Sequence, residues 1–396
     1  MNASFLDQGT IDKINSSIDT ATGLPNHAYT SQRFFELERQ QIFSRTWACI
    51  GHACALPQAN DVKPIRFMGM PLIMVRNESG DVNVFHNVCS HRGNELVWEP
   101  CSGRKVITCP YHAWSYDLNG NLKATPHIGG HGVHQVDGFE KEKKGLKQVR
   151  SAHWMDLVFI NISENQIDFD DYIKPLDERI FKLTSPKGFT ALKPAATHGA
   201  VELMLNANWK LLVENNLESY HLPWVHPDLN AISKLEDHYH FYGGDLYAGQ
   251  GSKTYSADRY DDIELVRFPK WANQVAEYPT LFPNVLLGFQ IDHFWSMVIQ
   301  PIAPDKTREN LHVYYLGESA SGDGYEKTRK SRLDAWTKVF TEDIGVVEGM
   351  QRGRRSPAFT GGTFSPVMDN PTHHFNKWIT RMLSDATKDT CSTGDT

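Results

Sequence analysis

The chain lacks most of the features that would classify it at a glance. No apolar run is long enough to cross a bilayer, so an integral helical membrane protein is excluded. Six cysteines in 396 residues are too few and too scattered for a disulfide framework. The net charge of -7 comes without any basic stripe, which argues against a nucleic-acid binder. The one lysine cluster, Lys141–Lys144, is interrupted by Glu142 and reads as a solvated loop. No Gly-rich phosphate loop follows a strand, so the chain itself is not expected to bind NAD or a flavin. The start, Met1-Asn2-Ala3-Ser4, shows no basic segment leading into an apolar core, and the expected compartment is the cytoplasm, away from membranes. Internal repeats and low-complexity tracts are also missing. Histidine, by contrast, is abundant at 18 residues, which keeps metal chemistry in view.

The length suggests two or three domains. Residues 30–47 read as an amphipathic helix with Phe34, Leu37, Ile42 and Phe43 on its apolar side. From Asp61 to Ile160 the pattern becomes short strands and turns. Pro71–Arg76 and Asp81–Phe85 flank the hairpin turn Asn77-Glu78-Ser79-Gly80, Val106–Thr108 and Ala113–Tyr116 are strand-like, and Asn119-Gly120 is a turn signal. Trp154 to Ile162 reads as one apolar strand closing a small all-β module. Leu281–Pro301 and Leu311–Leu316 belong to a larger sheet, and Gly324–Gly349 to a long helix. Gly353–Pro371 reads as a loop, and the last dozen residues as disordered.

Two ligand sets stand out. Cys89-Ser90-His91 and Cys109-Pro110-Tyr111-His112 each offer one thiolate and one imidazole, seventeen residues lying between His91 and Cys109. Structural zinc sites usually pair like ligands on one loop, and zinc is the rival reading. A mixed pair on each of two loops suits a [2Fe–2S] cluster with two cysteines on one iron and two histidines on the other, which raises its potential. Cys49, Cys54, Cys101 and Cys391 fall outside this pattern and are taken as ordinary thiols.

The second set lies in Asn208–Pro227. The stretch opens like a helix, with Leu212, Leu217 and Tyr220 as candidate core positions. Glu218 and His221, three apart, would share a helical face. Pro223 is expected to break the helix, and the kink could bring His226 beside His221. Two imidazoles and one carboxylate leave open positions on a ferrous ion. The carboxylate need not be local. Asp343 sits among Leu333, Trp336, Phe340 and Val347 on one face of the long helix, where an unpaired carboxylate is costly, while Glu342 is expected to point to the other side. The alternative for Asp343 is an ion pair with Arg352, Arg354 or Arg355. Glu218 could be a ligand in a Glu-x-x-His motif, but the only other such motif, Glu309 to His312, leads into a strand that would turn the two side chains to opposite faces. Glu218 as hydrogen-bond partner of His221 is the more natural role. His238, His240, His293, His373 and His374 are read as core or surface residues.

Together the two sets resemble the alpha subunit of a Rieske non-haem iron oxygenase. The resemblance runs from about Tyr29 to Trp378 and rests on Cys89-Ser90-His91-Arg92-Gly93, Cys109-Pro110-Tyr111-His112-Ala113-Trp114, Asn208-Trp209-Lys210, Glu218-Ser219-Tyr220-His221 and His226. It implies an α+β fold in which a small all-β Rieske [2Fe-2S] domain is inserted before a catalytic domain of helix-grip type, a curved antiparallel sheet around a long helix. Residues 1–44 would be the N-terminal helical part of the catalytic domain, 45–160 the Rieske domain, and 161–396 the catalytic mononuclear iron domain. His221, His226 and Asp343 would bind Fe(II), and Cys89, His91, Cys109 and His112 the cluster. Family members form head-to-tail rings, so a homotrimer is expected, with Glu218 bridging His221 and the partner's His112 for electron transfer.

The implied reaction is reductive activation of O2, with electrons from a separate NAD(P)H-dependent reductase of flavin or ferredoxin type, to hydroxylate a small molecule. Most members carry Asp where Glu218 stands. Glu at this position resembles the branch that oxidises quaternary ammonium compounds such as carnitine and glycine betaine, although those often have Cys in place of Ser219. N-demethylation or C–N cleavage by a monooxygenase is therefore expected, with Trp224, Tyr247, Phe289 and Trp295 as candidate aromatic walls around the cation. The alternative is an aromatic-ring-hydroxylating dioxygenase subunit. A third reading, a Rieske electron carrier without catalysis, needs none of His221, His226 or Asp343.

Overall fold

The computed structural model describes residues 6–163, 167–185, 189–255, 263–268 and 275–389. It divides into two compact units, Trp47–Glu164 and the combination of Met1–Thr46 with Asn165–Thr396.

The first unit is built from β1 (Ala48–His52), β2 (Val62–Phe67), β3 (Met70–Arg76), β4 (Val82–His86), β5 (Val106–Thr108), β6 (Ser115–Asp117), β7 (Leu122–Ala124), β8 (Arg150–Trp154) and β9 (Leu157–Asn161). They pair antiparallel in three small sheets, β1–β9–β8, β2–β3–β4 and β5–β6–β7. The turns follow from local chemistry. Asn77 Oδ1 accepts from the Asp81 amide at 2.9 Å and closes the β3–β4 hairpin. At the β6–β7 turn Gly120 has φ +85°, and a Cβ there would come within 2.6 Å of the Phe85 ring. Trp154 to Ile162 is not one strand. Met155 takes a positive φ of 55° and the chain reverses, pairing Trp154 with Leu157 across a tight hairpin. Ile73, Val75, Phe85, Ile107, Trp114 and Tyr116 form the core, and Cys89 and Cys109 are buried within it.

The second unit has helices α1 (Gln8–Asn15), α2 (His27–Thr30), α3 (Gln32–Glu38), α4 (Phe169–Thr184), α5 (Trp209–Leu217), α6 (Leu222–Val225), α7 (Pro227–Asn230), α8 (Glu318–Ser321), α9 (Glu326–Gly353) and α10 (Asn370–Asp389). The helix expected over 30–47 starts at Gln32, where Ser31 caps the Phe34 amide, and ends in a π-helical turn over Arg39–Phe43. Of the last dozen residues, expected to be disordered, 385–389 continue the helix α10. Pro371 sits in the first turn of α10, where a missing N–H costs nothing, and Phe375, Trp378 and Ile379 form its buried face. Residues 390–396, including Cys391, lie outside the described residues.

Among the described residues, eight strands form one antiparallel sheet: β10 (Leu192–Pro194), β11 (Ala200–Leu205), β12 (His238–Gly243), β13 (Tyr247–Ser252), β14 (Ala276–Leu281), β15 (Val285–Phe289), β16 (His293–Ala303) and β17 (Lys306–Leu316). The order is β10–β17–β16–β15–β14–β13–β12, with β11 also on β17. Both faces are covered, which is why β14 to β16 read as almost unbroken apolar runs. Glu277 of β14 faces α4, where Arg179 holds it bidentately at 2.7 Å and 2.7 Å. Strand alternation turns the next residue, Tyr278, to the opposite face, where α5, α9 and α10 pack. That second face carries the candidate site.

Candidate metal centres

The two Cys/His loops of the first unit share one backbone design. The Cys89 carbonyl accepts from Gly93 N and the Cys109 carbonyl from Ala113 N, both at 3.0 Å, while each cysteine amide donates five residues on, to Asn94 and Trp114 at 2.8 Å. The residue at the fourth place is left-handed in both, Gly93 at φ +74° and Ala113 at +58°. These tight turns hold the thiols inward and both imidazoles at one edge. Cys89 and Cys109 are 2 % exposed, and the rings of His91 and His112 lie 4.7 Å apart. Trp114 stacks on His91, and Tyr116 Oη lies 3.2 Å from Cys89 Sγ. Burial pushes the Cys89 thiol up, and the nearby Cys109 adds to it, so a thiolate at Cys89 needs a cation beside it. His112 Nδ1 is buried with no hydrogen-bond partner in the structure. An orphaned ring nitrogen beside two buried thiols fits a cluster bound by all four residues. Of the remaining cysteines, Cys49 is buried and its thiol is pushed up to about 12 by burial.

The second site is built on α5. Asn208 caps the helix by accepting from Lys210 N at 3.1 Å and ties it to the Pro304 carbonyl at 2.7 Å. Trp209 Nε1 and Lys210 Nζ both reach Glu38 of α3, at 3.0 and 2.5 Å, in a fully buried group. This explains the Asn208-Trp209-Lys210 run: it anchors the helix that leads to the site. The helix ends earlier than expected. Glu218 is already extended at φ -122°, ψ 160°, and Pro223 occupies the first turn of α6, where proline is tolerated. Glu218 Oε2 accepts the Tyr220 amide and, at 3.2 Å, the His221 amide, so the acid caps the new turn. Glu218 and His221 therefore meet across a break in the chain rather than along one helix. Leu212 and Leu217 are buried, but Tyr220, beyond the break, is 55 % exposed.

Here His221, His226 and Asp343 converge. The distance from His226 Nε2 to Asp343 Oδ1 is 3.0 Å and from His221 Nε2 to the same oxygen 3.7 Å. One donor atom from each lies within 4.8 Å of the others. Ligands at about 2.1 Å on adjacent octahedral corners sit roughly 3 Å apart, so the set fits a facial metal site. The other ring nitrogens are held by carboxylates: His221 Nδ1 by Glu218 Oε1 at 2.5 Å, and His226 Nδ1 by Glu342 Oε2 at 2.9 Å. With the Nδ1 protons held by the two carboxylates, both Nε2 atoms face Asp343 and would be the nitrogens offered to a metal. Glu342 does not point away. Neighbouring helical residues diverge by about 100°, not 180°, and its longer side chain returns to the flank of the site. Burial alone would lower the His226 pKa, but Asp343 and Glu342 outweigh it and hold it above the ordinary value.

A cavity of about 60 Å³ adjoins these ligands, walled by Tyr278, Trp295, Trp336 and Phe340, with Asn215, His238 and Gln250 supplying polar groups. Of the four expected aromatic residues, Trp295 lines it. Tyr247 packs on Phe241, and Phe289 pairs in register with Glu277, so both belong to the α4 face. Trp224 is 79 % exposed. Two of the histidines read as core or surface residues serve the cavity. His238 is held in its wall by Gln250 Oε1 at 2.6 Å, and His293 accepts at 2.8 Å from the indole N–H of Trp336.

Behind the site, β17 turns Glu309 to the helix-covered face between Leu203 and Ile299. Burial, aided by the charge of Asp343, raises its pKa to about 8. Glu309 is therefore protonated at neutral pH. Its unfolded pKa is near 4.5, so between these values the folded chain holds a proton that the unfolded chain releases, and stability falls as pH rises through the window. Glu309→Gln is expected to flatten this slope in the metal-free chain, with near parity at pH 5 and a gain on the order of 2–4 kcal/mol above pH 8. Denaturation midpoints at the two pH values check it, and equal shifts at both would refute it.

Comparison with known proteins agrees with this geometry. Residues 46–139 match the Rieske [2Fe-2S] domain, and residues 192–385 the ring hydroxylating alpha subunit catalytic domain. The chain is 33% identical over 403 residues to the glycine betaine monooxygenase oxygenase subunit of Chromohalobacter salexigens, covering 91% of this chain and 86% of that one. It is 28% identical over 354 residues to the carnitine monooxygenase oxygenase subunit of Acinetobacter pittii, covering 87% and 88%. The crystal structure of the quaternary ammonium Rieske monooxygenase CntA with L-carnitine superposes with a TM-score of 0.75 at 25% identity, over 94% of this chain and 98% of that one. With both domains matched in this order, the chain belongs to the Rieske non-haem iron oxygenases, as an oxygenase subunit that carries a [2Fe-2S] cluster and a mononuclear iron.

Proposed function

We propose that this oxygenase acts on a quaternary ammonium compound, removing or cleaving a group at nitrogen. His221, His226 and Asp343 hold the mononuclear iron in this reading, and Cys89, His91, Cys109 and His112 the cluster. The observation that carries it is the cavity wall. Four aromatic side chains meet there, with Trp295 and Trp336 rings 5.2 Å apart and Trp295 and Phe340 5.1 Å apart, and among the described residues no Lys or Arg lines the space. Glu218 and Asp343 add negative potential. Aromatic faces beside anions favour a cation that cannot donate a hydrogen bond.

When bound, the two iron centres supply electron relay and O2 activation. The chain's own groups do the rest. Glu218 and Glu342 fix the two imidazoles, the aromatic wall turns an N-methyl group toward the Nε2 atoms, and Gln250 keeps His238 in place. Electrons come from a separate NAD(P)H-dependent reductase. In a homotrimeric ring Glu218 would bridge His221 to the partner's His112, one of the residues that would hold the cluster.

The test is O2 uptake coupled to NADH through a reductase, with L-carnitine, γ-butyrobetaine, glycine betaine and choline set against aromatic acids. Turnover of at least one quaternary ammonium compound is expected, with an amine or aldehyde product. Turnover confined to aromatic acids would overturn the reading in favour of a ring hydroxylase.

A further inference from the structure

Gly288 of β15 pairs in register with Trp295 of β16. On its other side Glu277 pairs with Phe289, so Tyr278 lies beside Gly288 on the helix-covered face. A Cβ at Gly288 would stand 2.0 Å from Trp295 Cε2, 2.2 Å from Nε1 and 2.4 Å from Cζ2. The indole therefore rests directly on the bare backbone of β15, in space that any other residue would fill.

No directed bond holds that ring in place: Trp295 Nε1 is buried without a hydrogen-bond partner among the described residues. Its ring neighbours are Tyr278, Trp336 and Phe340, at 6.2, 5.2 and 5.1 Å between centroids. These four rings wall the cavity beside His221, His226 and Asp343. Carbon contacts begin near 3.5 Å, so a methyl group at 288 would force the ring up by about 1.5 Å. On this face the direction off the sheet is toward α9 and the cavity. Gly251 supplies the contrast. A Cβ there would meet Tyr239 Cζ at 2.5 Å, but Tyr239 gives its hydroxyl to Glu277 at 2.8 Å and so belongs to the α4 face, away from the cavity.

We infer that Gly288 is a positioning residue: by leaving the Trp295 indole on the sheet, it sets the bulk of the group the cavity admits. The identity of that group rests on the quaternary-ammonium reading. The inference deepens that reading by assigning the limit on N-alkyl size to one backbone position.

Calorimetric titration of the full iron-loaded chain with tetramethylammonium and with ethyltrimethylammonium tests this. Gly288→Ala is expected to raise the Kd of the ethyl ion at least tenfold more than that of the methyl ion, the usual size for one methylene in a fitted pocket. Gly251→Ala should leave the ratio of the two Kd values within twofold. In a Trp295→Leu background Gly288→Ala should also leave that ratio within twofold, because the ring it displaces is gone. Equal weakening of both ions by Gly288→Ala, unchanged binding, or a selective loss that persists without the indole would each overturn the inference. If Gly288→Ala does not load iron, Trp295→Phe decides: it must shift the preference toward the ethyl ion, and an unmoved preference overturns the inference. If the wild-type chain binds neither ion, the quaternary-ammonium reading falls. The same variants titrated with benzoate and 2-naphthoate then test Gly288 alone, selective loss of the larger acid supporting its role and equal loss of both ending it.

Discussion

His221→Ala is expected to abolish O2 consumption while the visible spectrum of the Rieske cluster is unchanged. The physical reason is that the two ligand sets share no residue. His221 belongs to a three-donor set within 4.8 Å, and none of those donors comes from the cysteine loops. Losing one of three protein ligands should empty the site, so iron per chain is expected to fall from about three to about two, with sulfide constant. The backbone should tolerate the change, because His221 caps no helix with its side chain and its amide remains bound to Glu218. Glu342→Gln provides a graded comparison. Gln can still accept the His226 Nδ1 proton, so geometry survives, but the anionic support is gone. A 10- to 100-fold loss of Fe(II) affinity is expected, the usual size for an outer hydrogen-bond partner. An electron carrier without catalysis would show no effect of either change on cluster reduction and would have no O2 consumption to lose. Full activity in His221→Ala would sink the ligand assignment.

The ligand loops were legible because their chemistry is local: a Cys and a His within one tight turn need only their own backbone to converge. The hairpins of the first unit were legible for the same reason, through Asn77 and Gly120. What failed was the reading of side chains through distant context. Pro223 reads as a helix break and Pro371 as the end of a loop, yet both sit in the first turn of a helix. Asp343 stood out as a carboxylate on an apolar helix face, whereas Glu342 was hidden because a helical wheel gives directions and ignores side-chain length. The aromatic wall could have been sorted further. On β13, β15 and β16 alternation puts Tyr247 and Phe289 on the face opposite Gln250 and Trp295, but that inference needs the register, and the register is set by strands far apart in sequence. Tyr278, Trp336 and Phe340 come from two elements whose meeting no local pattern announces.

Glu218→Gln separates the support of His221 from the proposed bridge to the partner subunit. Glu218 supports His221 Nδ1 at 2.5 Å and caps the turn that carries it, and by proposal it also bridges to the partner's His112. The amide preserves both hydrogen-bond acceptor functions at once only in part: one oxygen remains, and the charge is lost. If support of His221 were its whole contribution, Fe(II) affinity would fall 10- to 100-fold and turnover would recover at high iron. If it is also the bridge, single-turnover oxidation of the reduced cluster slows, about 100-fold for a misplaced acceptor, and saturating iron does not restore it. The second outcome is the expected one. The side chain is 15 % exposed, enough to be reached from outside the chain while remaining on His221, which a purely internal support would not require. Glu218→Asp keeps the charge but shortens the reach by one methylene, so it should fall between wild type and Gln in cluster oxidation while matching wild type in iron content. Unchanged cluster oxidation in Glu218→Gln would remove the acid from the electron path and leave it as the support of His221 alone.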